Sequence, residues 1–392
     1  MTQQLRVPGP TPIPERVQRA MACPLVNHKG PEFHRLMEQL QGDLRWALGT
    51  THPVLILPSS GSGGLEAAVA NLCQPGEEAL FCSIGAFGQR WAAIGRAYGA
   101  DVIELEGEWG QPVAIEDVAQ LLERHPLAGV VFFTHNETST GVTNDLAVVS
   151  QVVRDAGRLL VVDSVSGAPS LPLEMDALGC DAVVSASQKG WMAPPGVTMI
   201  ACSERALARA RLTTGARWYF DFTRLHEFLL RYETPTTPAI SVLFGLAEGL
   251  TMLREEGREQ VWARHARCGA AIRAAVAALG LRLLARSDVA SDVVTAIMPP
   301  VGVDPDGVRS LLSRLRESHG LVIAGGQGPF EGRLLRIGHL GAIDAADTMA
   351  LVAAFEAGTR EQGWTTAAVG AGLAAAQAVL HPTSQVGRER VA

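Results

Sequence analysis

Along the first half of the chain, short apolar runs rich in β-branched residues alternate with longer segments of helical period. The runs are Val54–Leu57, Glu78–Cys82, Asp101–Leu105, Gly129–Phe133, Leu159–Val162, Ala182–Val184 and Thr198–Cys202. They are too short for helices and mostly lack an alternating polar face, which predicts strands buried on both sides. Between them, Gly64–Cys73, Gln89–Tyr98, Ile115–Glu123 and Leu146–Ala156 have helical spacing. This alternation predicts an α/β fold with a mostly parallel sheet covered by helices and a ligand crevice at the carboxyl ends of its strands.

The rhythm changes after Thr237-Pro238. A long helical stretch, Ala239–Glu256, continues through Gln260–Leu279. Candidate strands then follow at Val293–Met298, Val322–Ala324 and Leu334–Gly338, with helices at Pro305–Glu317 and Ala345–Glu361. Helices with a few separated strands predict a smaller α+β domain. The opening run from Val7 to Pro14 holds four prolines and reads as an extended arm. The expected organisation is an arm over 1–15, a large domain over 16–240, a small domain over 241–380 and a tail over 381–392.

Composition narrows the possible partners. The 392 residues are 47% hydrophobic and 19% charged, with a net charge of −7 and no basic cluster, so binding of nucleic acid is not expected. Six cysteines are scattered without a C-x-x-C pair, which predicts buried free thiols and no metal site. No apolar stretch is long enough to cross a bilayer and the first residues lack a signal-like core, so no membrane association and a cytoplasmic location are expected.

Charge usage singles out one residue. Lys and Arg together number 33, yet only Lys29 and Lys189 are lysines. An arginine serves equally well on a solvated surface, but only a lysine amine can condense with an aldehyde. Genomic bias could also produce arginine-rich usage, so the surroundings of Lys189 must decide. It lies in Ser-Ala-Ser-Gln-Lys-Gly, directly after the buried run ending at Val184.

Further polar groups fall at the ends of other strands. Ser60-Gly61-Ser62-Gly63-Gly64 joins a strand to a helix, where hydroxyls and free N–H groups can hold a phosphate; a plain turn has the same composition. Asp163 ends a buried strand and needs a cationic or proton-donating partner, unless it simply caps the next segment. The segment from Thr134 to Gly141, which includes Ser139, offers hydroxyl and amide groups after another strand. Phe87, between glycines at a helix start, could cover a flat ring or fill the core. On the strand near residue 336, Leu334, Arg336 and Gly338 share one face, and Arg336 is a candidate carboxylate fork.

The series Ser60-Gly-Ser-Gly, Phe87-Gly-Gln-Arg, His-Asn-Glu-Thr-Ser-Thr-Gly141, Val-Asp163-Ser, Ser-Ala-Ser-Gln-Lys189-Gly, Ala193-Pro-Pro-Gly and Leu-Arg336-Ile-Gly resembles class V aminotransferases, specifically the alanine/serine–glyoxylate (or pyruvate) group. The resemblance extends from Pro8-Gly-Pro-Thr to Gly341, nearly the whole chain. It implies the fold type I of pyridoxal 5′-phosphate (PLP) enzymes and amino transfer from a small amino acid to glyoxylate or pyruvate. It also implies a homodimer with shared active sites. Lys189 then resembles the lysine that bonds the cofactor aldehyde and shuttles the substrate proton, and Asp163 resembles the partner of the pyridinium nitrogen. Ser60, Gly61, Ser62 and Gln188 match the phosphate cup, Phe87 the ring cover and Ser139 the partner of the ring hydroxyl. Thr236 and Thr237 resemble a segment lent to the neighbouring subunit's phosphate, and Arg336 resembles the fork for the substrate carboxylate. Two positions depart from the common pattern: Phe87 stands where many relatives carry Trp, and Thr236 where Tyr is frequent. Both leave the amino donor open.

Other readings remain to be weighed. A family member acting on another small or phosphonate-bearing donor fits equally well. A PLP-dependent lyase or desulfurase needs a mobile nucleophilic cysteine in the second half, and beyond residue 202 only Cys268 is found, within a helical pattern. A nicotinamide-dependent oxidoreductase would account for the alternating elements but not for Lys189. A non-catalytic PLP-binding protein would not need Lys189, Asp163 and Arg336 together.

Overall fold

The computed structural model describes residues 3–382, so the tail expected from 381 falls largely outside the described residues. All seven anticipated strands form one sheet: β1 (Val54–Leu57), β2 (Glu78–Ser83), β3 (Asp101–Glu106), β4 (Val130–Thr134), β5 (Leu159–Asp163), β6 (Ala182–Ala186) and β7 (Thr198–Cys202). Their order is β1-β7-β6-β5-β4-β2-β3. Apart from the edge strand β3, the strands are almost wholly buried, as expected for apolar runs covered by helices on both faces.

One strand is reversed. β7 pairs antiparallel with both β6 and β1, while the remaining neighbours pair in parallel. Because no helical crossover separates β6 from β7, the chain can only turn back. The turn between them, residues 187–197, places Lys189 at the carboxyl end of β6. Double reversal through β7 leaves β1 pointing the same way as β6, so the loops after β1, β2, β4, β5 and β6 all open on one edge.

A second sheet follows in the C-terminal part: β8 (Arg282–Leu283), β9 (Val294–Met298), β10 (Ala324–Gly325) and β11 (Leu335–Gly338), ordered β8-β9-β11-β10 and antiparallel. Helices Arg258–Ala278, Pro305–His319, Ala345–Glu361 and Ala371–Leu380 contribute to its core, which holds Ile272, Leu311, Leu335, Leu351 and Phe355. The division between the cores falls later than residue 240. Helix Ile240–Glu256 buries Leu243, Leu246 and Leu250 in the large core, and the smaller core begins at Ala271. Gly257, at φ 89°, breaks the helical stretch anticipated as continuous.

The N-terminal arm is tied down at several points. Gln4–Leu5 pairs in parallel with Leu321–Val322, Gly338 N–H donates to the Arg6 carbonyl, and Thr11 N–H donates to the Gln188 carbonyl. The arm therefore bridges the Arg336 strand and the Lys189 loop. Cys23 is exposed, against expectation; the other five cysteines are buried.

Candidate active site

Lys189 and Asp163 stand at the carboxyl ends of adjacent parallel strands. With Ser60, Gly61, Ser62, Phe87, Gln188, Leu65, Arg90 and Val165 they line one cleft of about 120 Å³. A larger cavity of about 600 Å³, bordered by Val113, His135, Asp145, Leu171 and Asp292, contains neither residue.

The Lys189 amine is buried and donates to the Pro8 carbonyl at 2.6 Å. Burial lowers its pKa to about 8, with Asp163 opposing that shift and Arg336 and Arg90 adding to it. Near neutrality its uncharged fraction is therefore well above that of an ordinary lysine. Gly9 presses on this amine: a Cβ there would lie 2.5 Å from Nζ, and its φ of 143° is a conformation that suits only glycine.

Asp163 accepts a hydrogen bond from Val165 N–H at 2.9 Å. Burial raises its pKa to about 7, against that hydrogen bond and the Lys189 charge, while Glu137 adds to the rise. A carboxylate held this way gains greatly from a cation placed against it. The capping alternative accounts for the Val165 bond and leaves the second oxygen unassigned.

The loop after β1 enters helix Gly61–Leu72. Ser60 forms no side-chain cap, and its carbonyl takes the N–H groups of Gly63 and Gly64. The N–H groups of Gly61 and Ser62 precede the helical ladder, and their end of the helix carries partial positive charge. Gln188 Oε1 is buried and unpartnered among the described residues. The free N–H groups, the helix end and the buried amine fit a phosphorylated aldehyde, toward which Gln188 would have to present its NH2.

Arg336 lies on β11, buried, and donates through Nε to the Gly325 carbonyl at 2.8 Å and through Nη1 to the Thr138 carbonyl and Gln327 Oε1. Its guanidinium thus reaches the loop after β4. Burial lowers its pKa to about 10, which still leaves it charged at neutrality.

Ser139 is placed differently from the cleft-lining residues. Its hydroxyl donates to Glu137 Oε1 at 2.6 Å and accepts from Ala86 N–H at 2.9 Å. Thr236 is half-buried and Thr237 exposed, neither lines this cleft, and neither hydroxyl finds a partner among the described residues.

Two neighbours stand inside the quoted motifs without a role assigned to them. Glu137 is fully buried and accepts from the N–H groups of Phe87, Gly88 and Ser139, fixing the start of helix Ala86–Ala97 beside the cleft. Burial raises its pKa although the Ser139 hydroxyl and these N–H groups oppose the shift. A carboxylate among hydroxyl residues reads in sequence as a solvated turn, and only its burial reveals this role. Arg90 donates to the Ser62 hydroxyl at 3.3 Å, with its guanidinium 4.8 Å from the Phe87 ring centroid.

Comparison with known proteins agrees with this geometry. Residues 13–327 match the family described as aminotransferase class-V. The chain belongs to that family. As a class-V aminotransferase it is a transaminase of a PLP-dependent family. It is 36% identical over 379 residues to a Synechococcus protein named soluble hydrogenase, small subunit, covering 96% of this chain and 98% of that one. It is 36% identical over 388 residues to serine–glyoxylate aminotransferase of Methylorubrum extorquens, covering 96% and 95%. The solved pyridoxamine–pyruvate aminotransferase of Mesorhizobium loti superposes with a TM-score of 0.91 at 29% identity, covering 97% of each chain. The family match and the two aminotransferase likenesses confirm the expected family, fold and reaction type of this class-V aminotransferase.

Proposed function

We propose that this aminotransferase moves the amino group of alanine or serine to glyoxylate or pyruvate, with PLP held in the cleft at Lys189. The observation carrying the reading is a buried amine with a lowered pKa beside a buried carboxylate at a parallel-sheet crevice. The names of similar proteins support the choice of serine, glyoxylate and pyruvate.

When bound, PLP supplies the electron sink that makes the substrate Cα–H bond acidic. Lys189 Nζ would hold the aldehyde carbon, with loss of water, and once displaced by the substrate amine it would be free to take the proton from Cα and return it on the same face. To do so it must give up the Pro8 carbonyl. Asp163, as a carboxylate, would hold a proton on the ring nitrogen through charge attraction. Ser60, Gly61, Ser62 and Gln188 would hold the phosphate, and Phe87 would cover the ring. Ser139, already donating to Glu137, has an acceptor lone pair left for the ring hydroxyl. Arg336 forks the substrate carboxylate by exchanging the Gln327 side chain for it, which orients Cα.

The unpartnered Thr236 and Thr237 serve the cleft of a second copy. Exposed Trp218, Tyr219, Leu230 and Tyr232 precede them in the chain and offer apolar surface for that contact. A donor–acceptor panel with purified PLP-loaded protein tests the substrate assignment. Alanine or serine with glyoxylate or pyruvate should give the highest kcat/KM, and a clear preference for a different donor class would replace the assignment.

A further inference from the structure

We infer that Arg90 supplies the positive charge for the cofactor phosphate in this chain. This rests on the reading of the cleft as a PLP site. Arg90 lines the same cleft as Ser60, Gly61, Ser62 and Gln188. It lies on the second turn of helix Ala86–Ala97. Helical side chains lean toward the N-terminus, so Arg90 runs back over Phe87 and meets Ser62. No carboxylate among the described residues comes within 4.0 Å of its guanidinium. A cation early in a helix opposes the helix dipole; Glu137 on the first N–H groups and the charge of Asp163 across the cleft offset this only in part, without pairing the guanidinium.

The charges require such a group. A phosphate monoester carries about −1.5 to −2 at neutral pH. The other groups of the cup are neutral hydroxyls, amides and N–H groups, and a helix end contributes only about half a charge. Arg336, on a separate strand and bonded to Thr138, Gly325 and Gln327, is reserved for the substrate carboxylate, and the Lys189 amine is needed for the aldehyde. Arg90 has four N–H donors beyond the one given to Ser62, enough for a bidentate contact with phosphate oxygens.

The test compares PLP with pyridoxal, which lacks the phosphate, by absorbance titration of wild type, Arg90→Gln and Arg90→Lys. Arg90→Gln should weaken PLP roughly 10- to 100-fold, the range of a charge-assisted hydrogen bond, and leave pyridoxal unchanged. Arg90→Lys, which keeps the charge without the fork, should fall between. Equal weakening of both ligands would make Arg90 merely a support for Phe87, and unchanged affinity for both would remove it from the site; either result overturns the inference. Failure of the underlying reading looks different, because wild type itself would then take up neither ligand at Lys189.

Discussion

At the scale of single residues, the proposed site rests on burial, which shifts three charged groups in useful directions. Lys189 is drawn toward its neutral form, Asp163 is left in need of a cation, and Arg336 stays charged while nearly enclosed. Lys189→Ala should abolish turnover and the borohydride-trapped cofactor adduct; trapping at Lys29 with retained activity would contradict the assignment. Asp163 gives a prediction with a definite sign. Its folded pKa of about 7 lies above the ordinary 3.8, so the folded cofactor-free protein keeps this proton longer than the unfolded chain does. That contribution is fully present below about pH 3.8 and is lost as pH rises through about 7. Asp163→Asn, measured without cofactor, should therefore lose less thermal stability than wild type between about pH 5 and about pH 8, yet transaminate poorly when loaded. Arg336→Ala should raise KM for amino and oxo acids alike, since each needs the carboxylate fork. An unchanged KM for both would place Arg336 outside the substrate site.

At the scale of elements, the arm is what joins the two chemical strands. Gly338 on β11 lies so close to Val7 that a Cβ there would overlap the Val7 backbone, and the neighbouring Pro8 carbonyl meets Lys189. Gly338→Ala should push the arm away, seen as faster amide exchange over residues 6–11 and a lower kcat; unchanged exchange there would refute this coupling. The sheet strands were legible because strands buried on both faces leave uninterrupted apolar runs, and β1 and β7 match their anticipated bounds. The reversal of β7 was not legible, since direction is a matter of connection rather than local pattern. The pattern reading assigns nothing to Pro31–Leu48, although Phe33, Met37, Leu40, Leu44 and Leu48 recur at helical spacing. There the apolar stripe is narrow and charged residues surround it. In the site, Lys189, Asp163 and the Ser60 loop were legible from strand ends. Glu137 was not, because its role depends on N–H groups of a helix some 50 residues earlier.

At the scale of the whole molecule, the proposed dimer makes each cleft depend on two chains through Thr236 and Thr237. Mixing inactive Lys189→Ala with inactive Thr236→Ala/Thr237→Ala protein should restore activity in hybrid dimers, where one cleft receives both intact contributions. No recovery despite confirmed subunit exchange would count against shared sites. The central claim, amino transfer through this cleft, is tested most directly by a single half-reaction. Adding alanine or serine alone to the PLP-loaded protein should convert its aldehyde absorbance band to that of the aminated cofactor and release one equivalent of oxo acid per site. Adding glyoxylate should then restore the band. An unchanged spectrum with catalytic release of ammonia or sulfide from any donor would contradict amino transfer and point to lyase chemistry instead.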